Sequence, residues 1–136
     1  MILTFEDSEE EILNHIISYV GIGARAFQVA EIAKTNLNFN GLEIDITNRL
    51  VRKQRQEIDL TFIEFEVLYL LANNPGRVFS KEQIYDVVWK ESYSGDYNIV
   101  MSHIHNIREK IEDNPSKPVY IQTVWGVGYK FNNKLK

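Results

Sequence analysis

Asn98, Ser102, His105 and Asn106 recur along the stretch NIVMSHIHNIREKIE, residues 98–112, three or four positions apart or side by side. On a helical wheel turned by about 100° per residue with Val100 at the origin, Ile104, Ile107 and Ile111 fall within about 40° of it. Those four make a narrow buried stripe. Asn98, Ser102, His105, Asn106, Glu109, Glu112 and Asp113 then take the opposite side, and His103, Arg108 and Lys110 flank the stripe. The first turns therefore present short hydrogen-bonding groups where a solvated helix ordinarily carries Lys and Glu. Such a face is either plain polar surface or a set of donors and acceptors that can address base edges in a major groove.

Other chemistry finds no support. His103 and His105 diverge by about 200° on the helix and cannot share one metal ion. No Ser/His/Asp or Cys/His arrangement is suggested, and no glycine-rich loop opens a helix after a strand. No catalytic residue, metal, cofactor or small-molecule substrate is indicated. A second unusual stretch, QTVWGVGYKF at residues 122–131, alternates apolar residues around two glycines and reads as a tight β-hairpin. Trp125 sits at its tip. It is either an anchor folded back on the domain or an exposed indole with something to touch.

The elements that position these residues are legible as patterns. LEIDI at residues 42–46 and RLVRK at residues 49–53 alternate, and a short strand near Glu57 could follow, so residues 41–60 read as a small antiparallel sheet. Thr61 to Glu64 and Ser80 to Gln83 are capping boxes that open two helices. The first carries Phe62, Phe65, Leu68, Tyr69 and Ala72 on one face and stops at Asn73-Asn74-Pro75-Gly76. The second carries Ile84, Val87 and Val88. A polar loop with glycine leads to the third helix, which runs to about Glu112, and the hairpin closes the chain. Ahead of these, Ser8 caps a helix bearing Ile12, Leu13, Ile16, Ile17 and Val20, ended by Gly21 and Gly23, with a weaker helical stretch over residues 24–34.

The chain of 136 residues has a net charge of −4 and no cysteine. The acidity is local. Residues 1–35 hold two cations and six anions, whereas residues 36–136 hold 13 of each. Nucleic-acid binding would thus need a local basic face. Without cysteine there is no disulfide or thiolate site, which fits a reducing compartment. No apolar run reaches the roughly 18 residues of a membrane span, and the N-terminus lacks a secretory pattern. These features point to the cytoplasm and away from a membrane.

From about Leu37 to Phe131 the sequence resembles the effector domain of the OmpR/PhoB family of response regulators in two-component systems. The parts that carry the resemblance are LTFIEFEVLYLLANNPGRVFSKEQIYDVVW, VMSHIHNIREKIE and IQTVWGVGYKF, in that order. It implies an α+β winged helix-turn-helix: an N-terminal antiparallel sheet, three helices and a C-terminal hairpin wing. It also implies double-stranded DNA as partner, with the third helix in the major groove and the wing at the minor groove, in a transcription regulator that is not an enzyme. Carried over by position, Asn98, Ser102, His105 and Asn106 face bases or nearby phosphates. His103 and Arg108 sit by the backbone, and Lys81, Trp89, Thr123, Tyr129 and Lys130 are phosphate-side contacts. The loop of Lys90, Glu91, Ser92, Tyr93, Ser94, Gly95 and Asp96 corresponds to the family's RNA polymerase contact.

Two departures stand out. Well-studied family members carry arginines at the positions of Asn98, His105 and Asn106, and many place a minor-groove arginine at Trp125, which here is either a hairpin anchor or a DNA contact. Fewer cations imply weaker and less salt-sensitive binding. Residues 1–35 are too few for a receiver domain, although ILTFEDSEEEILNHI resembles the end of one. Stand-alone regulator, decayed response regulator and fragment are the three readings. The expected organisation is a helical segment over residues 1–35, a receiver remnant or dimerisation element, followed by a winged-helix domain over residues 36–136. The chain would bind as a homodimer or in tandem. The alternative is a winged-helix protein-interaction module that dimerises through its N-terminal helix and no longer reads DNA.

Overall fold

The computed structural model describes residues 36–90 and 97–135. The expected N-terminal helices, the dimer face over residues 8–34 and Glu91 to Asp96 of the polar loop lie outside the described residues. The chain opens with four strands, β1 (Asn36–Phe39), β2 (Leu42–Asp45), β3 (Leu50–Lys53) and β4 (Gln56–Ile58), laid side by side in that order. β3 pairs antiparallel with both neighbours, setting Ile44 opposite Val51 and Val51 opposite Ile58. Leu42, Ile44 and Val51 are buried, as the alternation requires of a sheet with one dry face. Asn40 and Gly41 both take positive φ, 46° and 93°, the conformation that a two-residue I′ hairpin demands.

Helix α1 (Phe62–Ala72) starts at Thr61 with the capping box complete: the Thr61 hydroxyl accepts from Glu64 N, and the Glu64 carboxylate accepts from Thr61 N. Ser80 and Gln83 repeat this reciprocal pair at the start of α2 (Lys81–Trp89). The buried faces differ from the wheel at two residues. Phe62 is 66% exposed, because it stands in the first turn beyond the core edge, under the Arg49 guanidinium at 4.6 Å. Val87 is also exposed, and Tyr85 takes the inner place beside Ile84 and Val88. Helix α3 spans Tyr97–Ile111, with Val100, Ile104, Ile107 and Ile111 all buried as the spacing requires.

β5 (Ile121–Val124) and β6 (Gly128–Phe131) form the terminal hairpin, in register from Ile121 opposite Phe131 to Val124 opposite Gly128. The hairpin is fixed at its root. Phe79, just before α2, exchanges both backbone hydrogen bonds with Tyr129, at 2.8 and 2.9 Å. Gly128 permits this approach, since a Cβ there would lie 2.0 Å from the Phe79 carbonyl oxygen. Phe131 and Ile121 enter the core, and Phe131 packs its ring on Phe39 at 4.6 Å between centroids. The Tyr120 hydroxyl donates to Asn40 O at 2.9 Å and ties the hairpin root to the first sheet.

Buried Glu64 links α1 to α3 by accepting from Lys110 Nζ at 2.7 Å. Burial works against its ionisation, but the bonds from Lys110 and Thr61 outweigh that and hold the carboxyl below its ordinary value of 4.5. A carboxyl depressed in the folded state stabilises the fold above its unfolded pKa, and this contribution is lost as pH falls through the folded pKa. Unfolding titrations from pH 7 into acid should therefore show stability declining below the ordinary glutamate range. Glu64→Gln should remove about 2 kcal/mol at pH 7 and flatten that decline.

Candidate nucleic-acid interface

Asn98, Ser102, His105 and Asn106 are all exposed on α3, and with Met101 they surround a shallow hollow of about 310 Å3. Nearer the C-terminal end, Glu109 Oε2 stands 3.9 Å from His105 Nε2 on the same face. A cleft of about 290 Å3 runs from Met101 past Lys81 and Glu82 to the wing residues Thr123 through Tyr129. Met101 lines both, so the polar face of α3 and the wing cleft meet at this side chain.

The angle between helix and wing is set by two side chains near the end of α3. Arg108 reaches across to β5: Nη2 donates to Ile121 O at 2.9 Å and to Thr123 Oγ1 at 2.9 Å, and Nε donates to Ile121 O at 3.2 Å. Its guanidinium lies 5.6 Å from the centre of the Tyr129 ring. Burial pulls the Arg108 pKa down, with Tyr129 and Glu112 opposing, and burial pushes the Tyr129 phenol up. Glu112 gathers three successive N–H groups. Oε1 accepts from Val119 N at 2.6 Å, and Oε2 accepts from Tyr120 N and Ile121 N, each at 2.9 Å. The sequence placed Glu112 on the solvent side of the wheel, and this is corrected: it is 6% exposed. The helix ends at Ile111, so the 100° rotation no longer describes the next residue, which turns inward to cap the start of the hairpin.

The remaining expected residues divide into surface and joint. Trp89 stacks on Tyr85 with centroids 4.9 Å apart and meets His103 edge-on at 5.3 Å. His103 Nδ1 lies 2.8 Å from Ile99 O, so this half-buried pair braces α2 against α3. Arg108, Thr123 and buried Tyr129 belong to the clasp between helix and wing. Lys81 lines the cleft, and Lys130 is half-buried on β6. Lys90, the described residue of the polar loop, is exposed and ends α2 at a left-handed φ of 60°.

Trp125 is 88% exposed, which overturns the anchor reading. It lies beyond the last register pair, in the turn closed by Val127 N donating to Val124 O at 2.9 Å, so no strand neighbour covers it. Gly126, at φ 77°, supplies the corner. The aromatic rings that anchor the hairpin are Tyr120, Tyr129 and Phe131. Met101, 45% exposed, and Val127, 57% exposed, belong to this surface but carried no sequence signal beyond being apolar at unburied positions.

A four-stranded sheet, three helices and a C-terminal hairpin held against the third helix define a winged helix-turn-helix. Residues 55–131 match the family described as "Transcriptional regulatory protein, C terminal", and the chain belongs to that family, the OmpR/PhoB effector class of two-component response regulators. Its domains are non-enzymatic transcription regulators. The chain is 50% identical over 94 residues to the uncharacterized transcriptional regulatory protein YcbL of Bacillus subtilis, covering 69% of this chain and 42% of that protein. It thus spans less than half the length of that relative. The Thermotoga maritima response regulator DrrB, an OmpR/PhoB homologue, superposes with a TM-score of 0.67 at 39% identity over 72% of this chain and 44% of that one. The RstA DNA-binding domain of Klebsiella pneumoniae, solved in complex with the RstA box, gives 0.67 at 29% identity over 71% of this chain and 96% of that one. Among the described residues, no helix is long and apolar enough to cross a membrane.

Removing the Glu112 carboxylate would strand three N–H groups at the hairpin root. Glu112→Ala should lower stability by about 3 kcal/mol, and amide exchange should accelerate first at Val119, Tyr120 and Ile121. Protection unchanged at those three amides would show that the carboxylate does not hold the wing.

Proposed function

We propose that the chain is a sequence-specific DNA-binding transcription regulator, with α3 in the major groove and the wing at the adjacent minor groove. The observation that carries this reading is that the hollow among the short hydrogen-bonding side chains of α3 and the cleft reaching the exposed wing tip share Met101 as a lining residue. Asn side chains can pair with adenine N6 and N7, and Ser and His can bond to base edges or phosphates. Trp125 can lie along sugar edges or fill the mouth of the minor groove, and its indole N–H can donate once. The RstA domain, of the same fold, was solved on its own DNA box, which supports the same use of the fold here. In this reading residues 90–96 face RNA polymerase, residues 8–34 pair two copies, and the chain acts in the cytoplasm.

Charge shapes the binding. Arg108 is committed to the wing and Lys110 to Glu64, while Glu109 stands on the reading face. Phosphate contacts are therefore few. Selection from a random duplex pool, followed by titration of an enriched site, tests the proposal. Asn106→Ala and His105→Ala should each cost about 1–3 kcal/mol and relax base preference at one position. The log–log salt slope should be shallow, about −3 to −5 per domain. If no sequence enriches, the domain does not read DNA, and the protein-interaction alternative takes its place. If a site enriches but both variants bind it like the parent, α3 is not the reading helix.

A further inference from the structure

Met101 is the one exposed apolar side chain on α3 among the described residues, and it stands within the polar hollow. Folding does not account for it, since the buried stripe of Val100, Ile104, Ile107 and Ile111 is complete without it. Its neighbours one turn away are Asn98 and His105, both exposed. The thioether is long, unbranched and polarizable, and it fits itself to an irregular apolar surface. In a major groove the apolar feature of a base edge is the C5-methyl of thymine.

The same face is poor in guanine readers. A bidentate bond to guanine O6 and N7 needs a guanidinium or an ammonium. Arg108 is held by Ile121 O and Thr123, and Lys110 is drawn to Glu64. Resting on the DNA-reading proposal above, we propose that Met101 is a specificity-determining residue that reads a thymine methyl, and that the half-site is accordingly defined by A·T pairs opposite the N-terminal half of α3.

Uracil tests this, because it pairs as thymine does and lacks only the methyl group. Duplexes enriched from a random pool are remade with uracil at one thymine at a time and titrated with the full chain by fluorescence anisotropy. At one position in each half-site the substitution should weaken binding about four-fold, the worth of one buried methyl group. Met101→Ala should bind the thymine and uracil duplexes alike, near the weaker level, and Met101→Leu should restore a preference for thymine. Equal binding of every uracil duplex by the parent, or an undiminished preference in Met101→Ala, overturns the assignment while leaving DNA reading intact. Failure of any sequence to enrich overturns both.

Discussion

The carboxylate of Glu112, buried against three consecutive backbone N–H groups, is the interaction on which the working surface depends. A helix end and a strand start each leave unpaired backbone groups, and a buried N–H without a partner is costly. One side chain, that of Glu112, meets that need for the chain entering the hairpin. Arg108, in the last turn of α3, accounts for the next carbonyl and the Thr123 hydroxyl. Helix and wing are thereby joined by opposite charges about one turn apart. The Phe79 bridge holds the other strand of the wing from the side of α2. With both strands fixed at the root, the turn from Val124 to Val127 forms the tip beyond the last register pair.

This joint also explains the charge balance of the exposed face of α3. A domain with equal numbers of cations and anions can still bind a polyanion if its cations cluster. Here two cations near α3 are spent on geometry: Arg108 orients the wing and Lys110 fastens α3 to Glu64. What α3 presents instead is Asn, Ser, His and Met. Phosphate contacts add affinity that is indifferent to sequence, whereas base-edge contacts add the difference between sequences. In the proposed reading, a surface built this way would trade overall affinity for discrimination.

Much of the fold was legible because its signals are local. The two capping boxes, the period-two strands and the Val100 stripe each depend on residues within a few positions of one another, and each formed as expected. The misses share a different cause. The inward turn of Glu112, the Arg108 bonds to β5 and the Lys110 bond to Glu64 depend on segments 7 to 46 positions away, which no local pattern reports. Phe62 and Val87 sit where helical periodicity predicts burial, but the core does not extend that far. A wheel gives the direction of a side chain from its own axis. It cannot say what stands there.

Trp125 and Val127 close the argument from the opposite side. Both are apolar and exposed, and they flank a glycine whose positive φ makes the turn. The hairpin already has its anchors in Tyr120, Tyr129 and Phe131, and its register is complete at Val124 and Gly128. Apart from the glycine at its corner, the tip has no apolar partner within the hairpin, and polar residues would serve a solvated turn better. The same holds for Met101 beside a complete stripe. The exposed apolar residues on helix and wing line the same cleft. A surface that folding leaves unspecified, yet that holds three apolar side chains among hydrogen-bonding ones, has the composition of a contact made with something outside the chain.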